Sequence, residues 1–180
     1  MSISFEKAEK MLAEIPKGLE TAAARAFNRA LDQGRSEAVR QVTAAYTVKA
    51  KAVRATFTSK RANRSSLEAR LISRGGAISL GSFQLNPRSD TTGAKRKQVR
   101  VAVKKGGLKS LGDAFVWNGQ AFIRRSNSSL PVDKLWGPSV PGMLGNEDIV
   151  DSLNEYMAEV AEKRFDHEVQ YLLERGAKNG

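Results

Sequence analysis

Residues 114–123 read AFVWNGQAFI, two short runs of β-prone residues joined by the pair Asn118-Gly119, and this stretch is the clearest local signal in the sequence. A type I′ turn needs a positive φ at both of its central positions, and Asn-Gly is a pair that such turns favour. The stretch therefore predicts a β-hairpin. The expected cross-strand pairs are Phe115 with Phe122, Val116 with Ala121, and Trp117 with Gln120.

Two further strands are predicted upstream of the hairpin. Apolar and polar side chains alternate through residues 67–73, and from Gln98 onward Val99, Val101 and Val103 share one face while Arg100 and Lys104 share the other. Between these strands, residues 86–97 read NPRSDTTGAKRK and contain one apolar residue, Ala94. We expect a mobile loop there.

Helical periodicity flanks the β-rich region. Residues 4–15 carry one apolar stripe, a second stripe runs from Leu19 to Ala45, and Thr47 is placed to cap a short third helix. At the C-terminal end Asn146 is the expected N-cap and Gly176 the expected stop of a long helix. Its predicted buried stripe is Ile149, Leu153, Met157, Val160, Phe165, Val169 and Leu172.

These elements predict a single α+β domain, with N-terminal helices and the long C-terminal helix packed on a mostly antiparallel β-sheet. A chain of 180 residues is long enough for one domain with a buried core. The expected regions are helical residues 1–57, β-rich and basic residues 66–125 with the mobile loop 86–97, the Pro-rich segment 126–145 and the C-terminal helix 146–176.

The composition excludes several classes of protein. With no Cys and one His, a zinc finger, a disulfide scaffold or an iron–sulfur site is ruled out, and we expect no metal and no cofactor. The first residues, MSISFEKAEKMLAEIP, are charged where a secretory signal needs an apolar run, and no stretch has the apolar length of a membrane span. We expect a soluble protein that is synthesised in the cytoplasm.

The net charge of +11 is unevenly distributed. Residues 35–125 hold twenty basic and four acidic residues, whereas residues 146–180 hold nine acidic and four basic ones. Such a separation indicates attraction to polyanions or pairing of complementary faces between subunits. Ordinary solvation of charged faces is the alternative.

One group of basic side chains is the candidate for DNA contact, because no acidic residue interrupts it. Without interleaved aromatic residues, binding there would be indifferent to sequence and sensitive to salt. Plain solvation explains the same residues equally well. The DNA-facing candidates are Lys95, Arg96, Lys97, Arg100, Lys104, Lys105 and Lys109.

No motif predicts catalysis. His167 lies among acidic residues with no Ser or Cys nucleophile placed near it by a motif, and GGAISLGS lacks the spacing and the Lys of a phosphate-binding loop, so we interpret it as a turn. Carboxylates at helical spacing, which could hold a divalent cation, are better explained as a solvated face. They are Asp151, Glu155, Glu159 and Glu162.

Residues 130–145, LPVDKLWGPSVPGMLG, combine three prolines with apolar side chains. The prolines favour a pre-ordered extended path. The segment either packs on the sheet as core or presents Trp136 to another subunit. The interface candidates are Leu135, Trp136, Gly137, Pro138, Pro141 and Met143.

The chain resembles the minor tail protein Z family of tailed bacteriophages and prophages. The likeness rests on the helix AAARAFNRALDQGRSEAVRQV, on YTVKAKAVRA, ISLGSFQLNP and VRVAVKKGGLKSLGDAFV, and above all on GPSVP at residues 137–141.

This resemblance implies a structural virion protein that completes the tail at its head-proximal end and acts in head–tail joining at the neck. It also implies a homo-oligomer, with a hexameric ring around the DNA channel suspected. The implied partners are the tail tube or tail terminator, the neck or connector proteins and double-stranded DNA in transit, with no membrane. The family has no catalytic residues to carry over. A non-specific basic nucleic-acid-binding protein is the alternative function.

Overall fold

The structure, a computed structural model, describes residues 3–91, 98–145 and 147–177. The helices are α1 (Phe5–Met11), α2 (Gly18–Ala45), α3 (Ala50–Arg54), α4 (Val140–Leu144) and α5 (Glu147–Ala177). The strands are β1 (Phe57–Lys60), β2 (Arg70–Ser73), β3 (Ala77–Ser79), β4 (Gln84–Asn86), β5 (Arg100–Ala102), β6 (Lys109–Ser110), β7 (Phe115–Trp117), β8 (Gln120–Arg124), β9 (Val132–Lys134) and β10 (Trp136–Ser139). The long helices α2 and α5, together with the antiparallel strand pairs, confirm the α+β class.

The chain divides into two compact units. The first comprises residues 1–38, 57–72 and 147–180, and the second comprises residues 39–56 and 73–146. Helix α2 runs through residue 38 and so contributes to both units.

The first unit is built on a helical core. Small side chains on α2 let α1 and α5 approach closely, and Phe5 stacks on Phe165 with ring centroids 4.5 Å apart. At the chain start, the Ile3 amide donates a 2.8 Å hydrogen bond to Asp166 Oδ1. The predicted apolar stripes meet here, and the buried residues are Ala8, Leu12, Ala22, Ala23, Ala26, Phe165 and Val169.

The predictions for the two ends of α5 had different outcomes. Its expected N-cap, Asn146, lies outside the described residues. Arg175 lies in the last turn, as predicted. The helix includes Gly176 and continues to Ala177, so the predicted stop at Gly176 was wrong by a residue.

Three antiparallel sheets form the second unit: β10–β3, β4–β5–β6 and β7–β8–β9. The hairpin of β7 and β8 has the predicted register, and Asn118 and Gly119 have φ values of 48° and 68°. The largest fully buried side chains of this unit are Phe83, Met143, Val42, Val53, Val99, Val116 and Val140.

Two local predictions differ from the structure. Thr47 does not cap α3, whose N-cap is Lys49. Instead the Thr47 hydroxyl donates to the Ala102 carbonyl and accepts a 3.0 Å bond from the Gln84 amide, which ties β4 to β5. The segment interpreted as a turn at residues 75–82 contains β3 and a 3₁₀ turn, Leu80–Ser82.

The predicted mobile loop 86–97 is anchored over its first half. Thr91 is buried, and its Oγ1 accepts a 2.8 Å hydrogen bond from the Val116 amide while its own amide donates to the Val116 carbonyl at 3.0 Å. Asp90 Oδ1 accepts from the Asn118 amide at 2.8 Å. Asp90 and Thr91 therefore hydrogen-bond to the hairpin backbone. Residues 92–97 lie outside the described part of the chain.

Candidate nucleic-acid and subunit interfaces

Four of the seven predicted DNA-facing side chains are described, and all four are exposed. Arg100 is on β5, Lys104 and Lys105 follow that strand, and Lys109 is on β6. The pairing of Val101 with Lys109 and of Arg100 with Ser110 brings the two basic strands together. Lys95, Arg96 and Lys97 lie outside the described residues.

The backbone below these cations is held by α2. The Lys105 amide donates to the Ala45 carbonyl at 2.9 Å, and the Lys104 ammonium lies 5.9 Å from the centroid of the Tyr46 ring. Beyond Lys105 the chain bends at Gly106, whose φ of +116° is a conformation that side chains rarely adopt. The backbone is thus fixed while the charged ends remain in solvent.

This basic side of the strand is not continuous. The alternation predicted an apolar face and a basic face, and Val99 and Val101 are buried as expected. Ala102, on the same side of the strand as Arg100, is also buried, at 3% exposure. The strand is therefore covered on both sides at Ala102, and the cations concentrate at its ends.

The Pro-rich segment serves both of the roles left open by the sequence. Met143 is fully buried and belongs to the core of the unit, which is the first of these two roles. Leu135 and Pro141 are half-buried, and Gly137 contacts Phe83. Trp136 remains 57% exposed and Pro138 is exposed, so these two retain the surface that a partner needs.

A further surface was missed by the sequence analysis. We term this surface the aromatic patch. It consists of the aromatic residues Phe115, Trp117, Phe122 and Trp136 and the basic residues Arg124 and Lys134. The Phe122 ring lies 5.8 Å from that of Phe115 and 6.1 Å from that of Trp117. Alternation along the predicted hairpin placed three of these aromatic residues on one face, but the hairpin alone did not show whether that face was covered.

Two cations lie over the rings of this patch. The Arg124 guanidinium lies 4.6 Å from the Phe115 centroid, and the Lys134 ammonium lies 4.8 Å from the Trp136 centroid. Lys134 is placed there because β9 pairs it directly with Phe122. Cation–π contacts hold both charges at the surface of the patch.

A bidentate ion pair crosses the same sheet. Arg125 Nε and Nη2 each donate a 2.7 Å hydrogen bond to a carboxylate oxygen of Asp133. These hydrogen bonds hold the pKa of Asp133 below its ordinary value and raise the pKa of Arg125. In the first unit, hydrogen bonds from Arg70 and Lys60 lower the pKa of Glu68 in the same way.

The titratable groups that the sequence singled out are surface residues of one helix. His167 and the acids Asp151, Glu155, Glu159 and Glu162 are all exposed along α5. In the described part of the chain, no three His, Cys, Asp or Glu side chains come close enough to hold a metal ion. Across those same residues, none of the helices has the length and apolar character needed to cross a membrane.

Comparison with known proteins agrees with the sequence resemblance. No curated protein and no solved structure matches the chain significantly. The family described as prophage minor tail protein Z (GPZ) matches residues 4–176, which include both units and the GPSVP block. With nearly its whole length matched, the chain belongs to the prophage minor tail protein Z family, whose members are structural proteins of the phage tail.

Proposed function

We propose that this minor tail protein completes the tail at its head-proximal end and acts in head–tail joining, as a homo-oligomeric ring around the DNA channel. Family membership over residues 4–176 is the observation that carries the proposal. The role is structural and involves no catalytic step. The tail tube or tail terminator and the neck proteins are the partners it needs.

The distribution of charge supports a ring. Residues 35–125 are strongly basic, and α5 carries all nine acidic residues of the C-terminal segment. Different surfaces of opposite charge on one chain favour head-to-tail contacts between copies, and such contacts close into rings when the rotation permits. Exposed cations around β5 and β6 are then available to face DNA in the channel.

Deletion of the gene in an inducible prophage tests this role. We expect unjoined heads and tails in the lysate, and gold-labelled antibody on wild-type particles should mark the end of the tail next to the head. Normal infectious particles from the deletion strain would contradict the proposal. Label elsewhere on the tail would retain the tail assignment and reject the head-proximal position.

A second candidate function is non-specific binding of nucleic acid. The specific observation in its favour is that Arg100, Lys104, Lys105 and Lys109 are all exposed, with no acidic residue between Thr91 and Gly112. A protein that uses six to ten phosphates loses roughly a thousandfold or more in affinity between 50 and 200 mM salt. Weak binding with little salt dependence would reject this function and leave the cations to the assembled channel.

A further inference from the structure

The aromatic patch is an exposed surface that the core does not require. Residues on the opposite side of the same strands, Val116 and Ala121, are fully buried and supply the packing. Trp117 and Trp136 are 52% and 57% exposed, and they are the two tryptophans of the chain. Exposed tryptophans indicate an interaction surface, because each carries a large apolar area that binding can remove from water.

The charges of the patch define the chemistry of its occupant. Arg124 and Lys134 lie over Phe115 and Trp136, at the surface where a partner would dock. A complementary surface must therefore offer carboxylates beside small apolar side chains. Bulky or basic side chains at the same place would either clash with the rings or leave like charges facing each other.

A surface of this composition is present on α5. Between residues 151 and 162 the helix exposes Ala158 among acidic side chains. Residues four apart on a helix lie about 6 Å apart along its axis and share a face. We term this the acidic face of α5, and it consists of Asp151, Glu155, Ala158, Glu159 and Glu162.

We propose that the aromatic patch of one copy docks on the acidic face of α5 of a second copy. This inference rests on the proposed function, since it names the surfaces that build the ring. The tryptophans pack against Ala158, while Arg124 and Lys134 pair with the flanking carboxylates. The two surfaces differ, so each copy keeps one free surface of each kind until the ring closes.

Charge reversal of the full-length chain tests this contact. The patch variant is Arg124→Glu with Lys134→Glu, and the helix variant is Glu155→Lys with Glu159→Lys. Each variant alone should self-associate at least tenfold more weakly than the wild type in sedimentation velocity. A mixture of the two should recover association, because every patch then meets a helix of opposite charge.

Intrinsic fluorescence provides a second readout. Both tryptophans lie in the patch, and both variants retain them. Association should therefore shift the tryptophan emission to shorter wavelength in the wild type and in the mixture. Neither variant alone should show this shift. A matched control is Lys7→Glu with Glu174→Lys, which reverses two exposed charges outside both surfaces. Circular dichroism should show that all variants remain folded.

Complementation of the deletion strain tests the same contact during assembly on the tail, where the other tail proteins are present. Each variant should fail to restore head–tail joining, and a chain that carries all four reversals should restore it. Self-association or complementation that is unaffected by either variant would overturn the inference and leave the proposed ring intact with another interface. Quenching of the tryptophans by single-stranded DNA, with association unaffected by either variant, would also overturn it and assign the patch to nucleic acid.

Discussion

Gly137 lies against the ring of Phe83, so closely that a Cβ on residue 137 would be 2.8 Å from Phe83 Cε2 and 3.1 Å from Leu80 Cδ2. Phe83 is fully buried and cannot swing aside. The first residue of the GPSVP block is therefore a glycine because β10 passes directly over a core aromatic ring. The block is a packing element of the second unit as well as a marker of the family.

Replacement of Gly137 by Ala should destabilise the protein. The added methyl group has no space, and overpacking of a close-packed core costs about 1–3 kcal/mol. Urea denaturation measures the free energy of unfolding. Gly107→Ala is the matched control, since a Cβ at residue 107 meets nothing within 4 Å. Equal stability of the two variants would contradict the packing described for Gly137.

Thr91→Val should weaken the attachment of residues 90–91 to the hairpin. The valine keeps the shape of the side chain but leaves the buried Val116 amide without the hydroxyl that accepts its hydrogen bond. An unsatisfied buried donor costs about 1–3 kcal/mol. Hydrogen exchange of the Val116 amide should accelerate, and Thr58→Val, at an exposed position on β1, should leave it unchanged. An unchanged rate in Thr91→Val would show that the amide has another acceptor.

The Arg125–Asp133 pair gives a pH-dependent contribution to stability. Hydrogen bonds from Arg125 hold the pKa of Asp133 below its ordinary value of 3.8, so near that pH the unfolded state binds more protons than the folded state. The contribution is therefore present above the unfolded pKa and is lost as the pH falls through the folded pKa. Arg125→Gln should raise the pKa of Asp133 toward 3.8 in a carboxyl NMR titration.

Arg100→Gln is the control for this titration, because Arg100 bonds to Gln98 and not to Asp133. It should leave the titration of Asp133 as in the wild type. A pKa of Asp133 that does not respond to Arg125→Gln would contradict the bidentate geometry.

Local features of the sequence predicted much of the fold. The Asn118-Gly119 turn fixes the register of its hairpin through backbone conformation alone, and the stripe of α5 buries Phe165 and Val169 as its spacing requires. Both signals depend on residues close in the chain. Thr47 shows the limit, because its hydroxyl bonds to Ala102, a partner 55 residues away that competes with the local cap.

The sequence predicted less of the candidate site than of the fold. Periodicity placed aromatic residues on one face of the hairpin, but the exposure of Trp117 depends on which elements cover that face. Lys134 joins the patch only because β9 pairs with β8. For Met143 the sequence left core and interface open, because an apolar residue in a Pro-rich segment gives no periodic signal for burial.

The exposed cations around β5 and β6 should contribute to DNA affinity through phosphate contacts alone. Removal of one phosphate-binding cation should reduce the slope of log K against log salt by about 0.9 for duplex DNA. Replacement of Lys104, Lys105 and Lys109 by Ser removes three exposed charges from this surface. A binding titration at several salt concentrations should therefore give a shallower slope, with the same reduction for unrelated DNA sequences.

Replacement of Lys7, Lys10 and Lys163, which are exposed on α1 and α5, lowers the net charge equally and should change the slope far less. Equal effects of the two sets would show that only net charge matters, and the surface would then have no specific role in binding DNA.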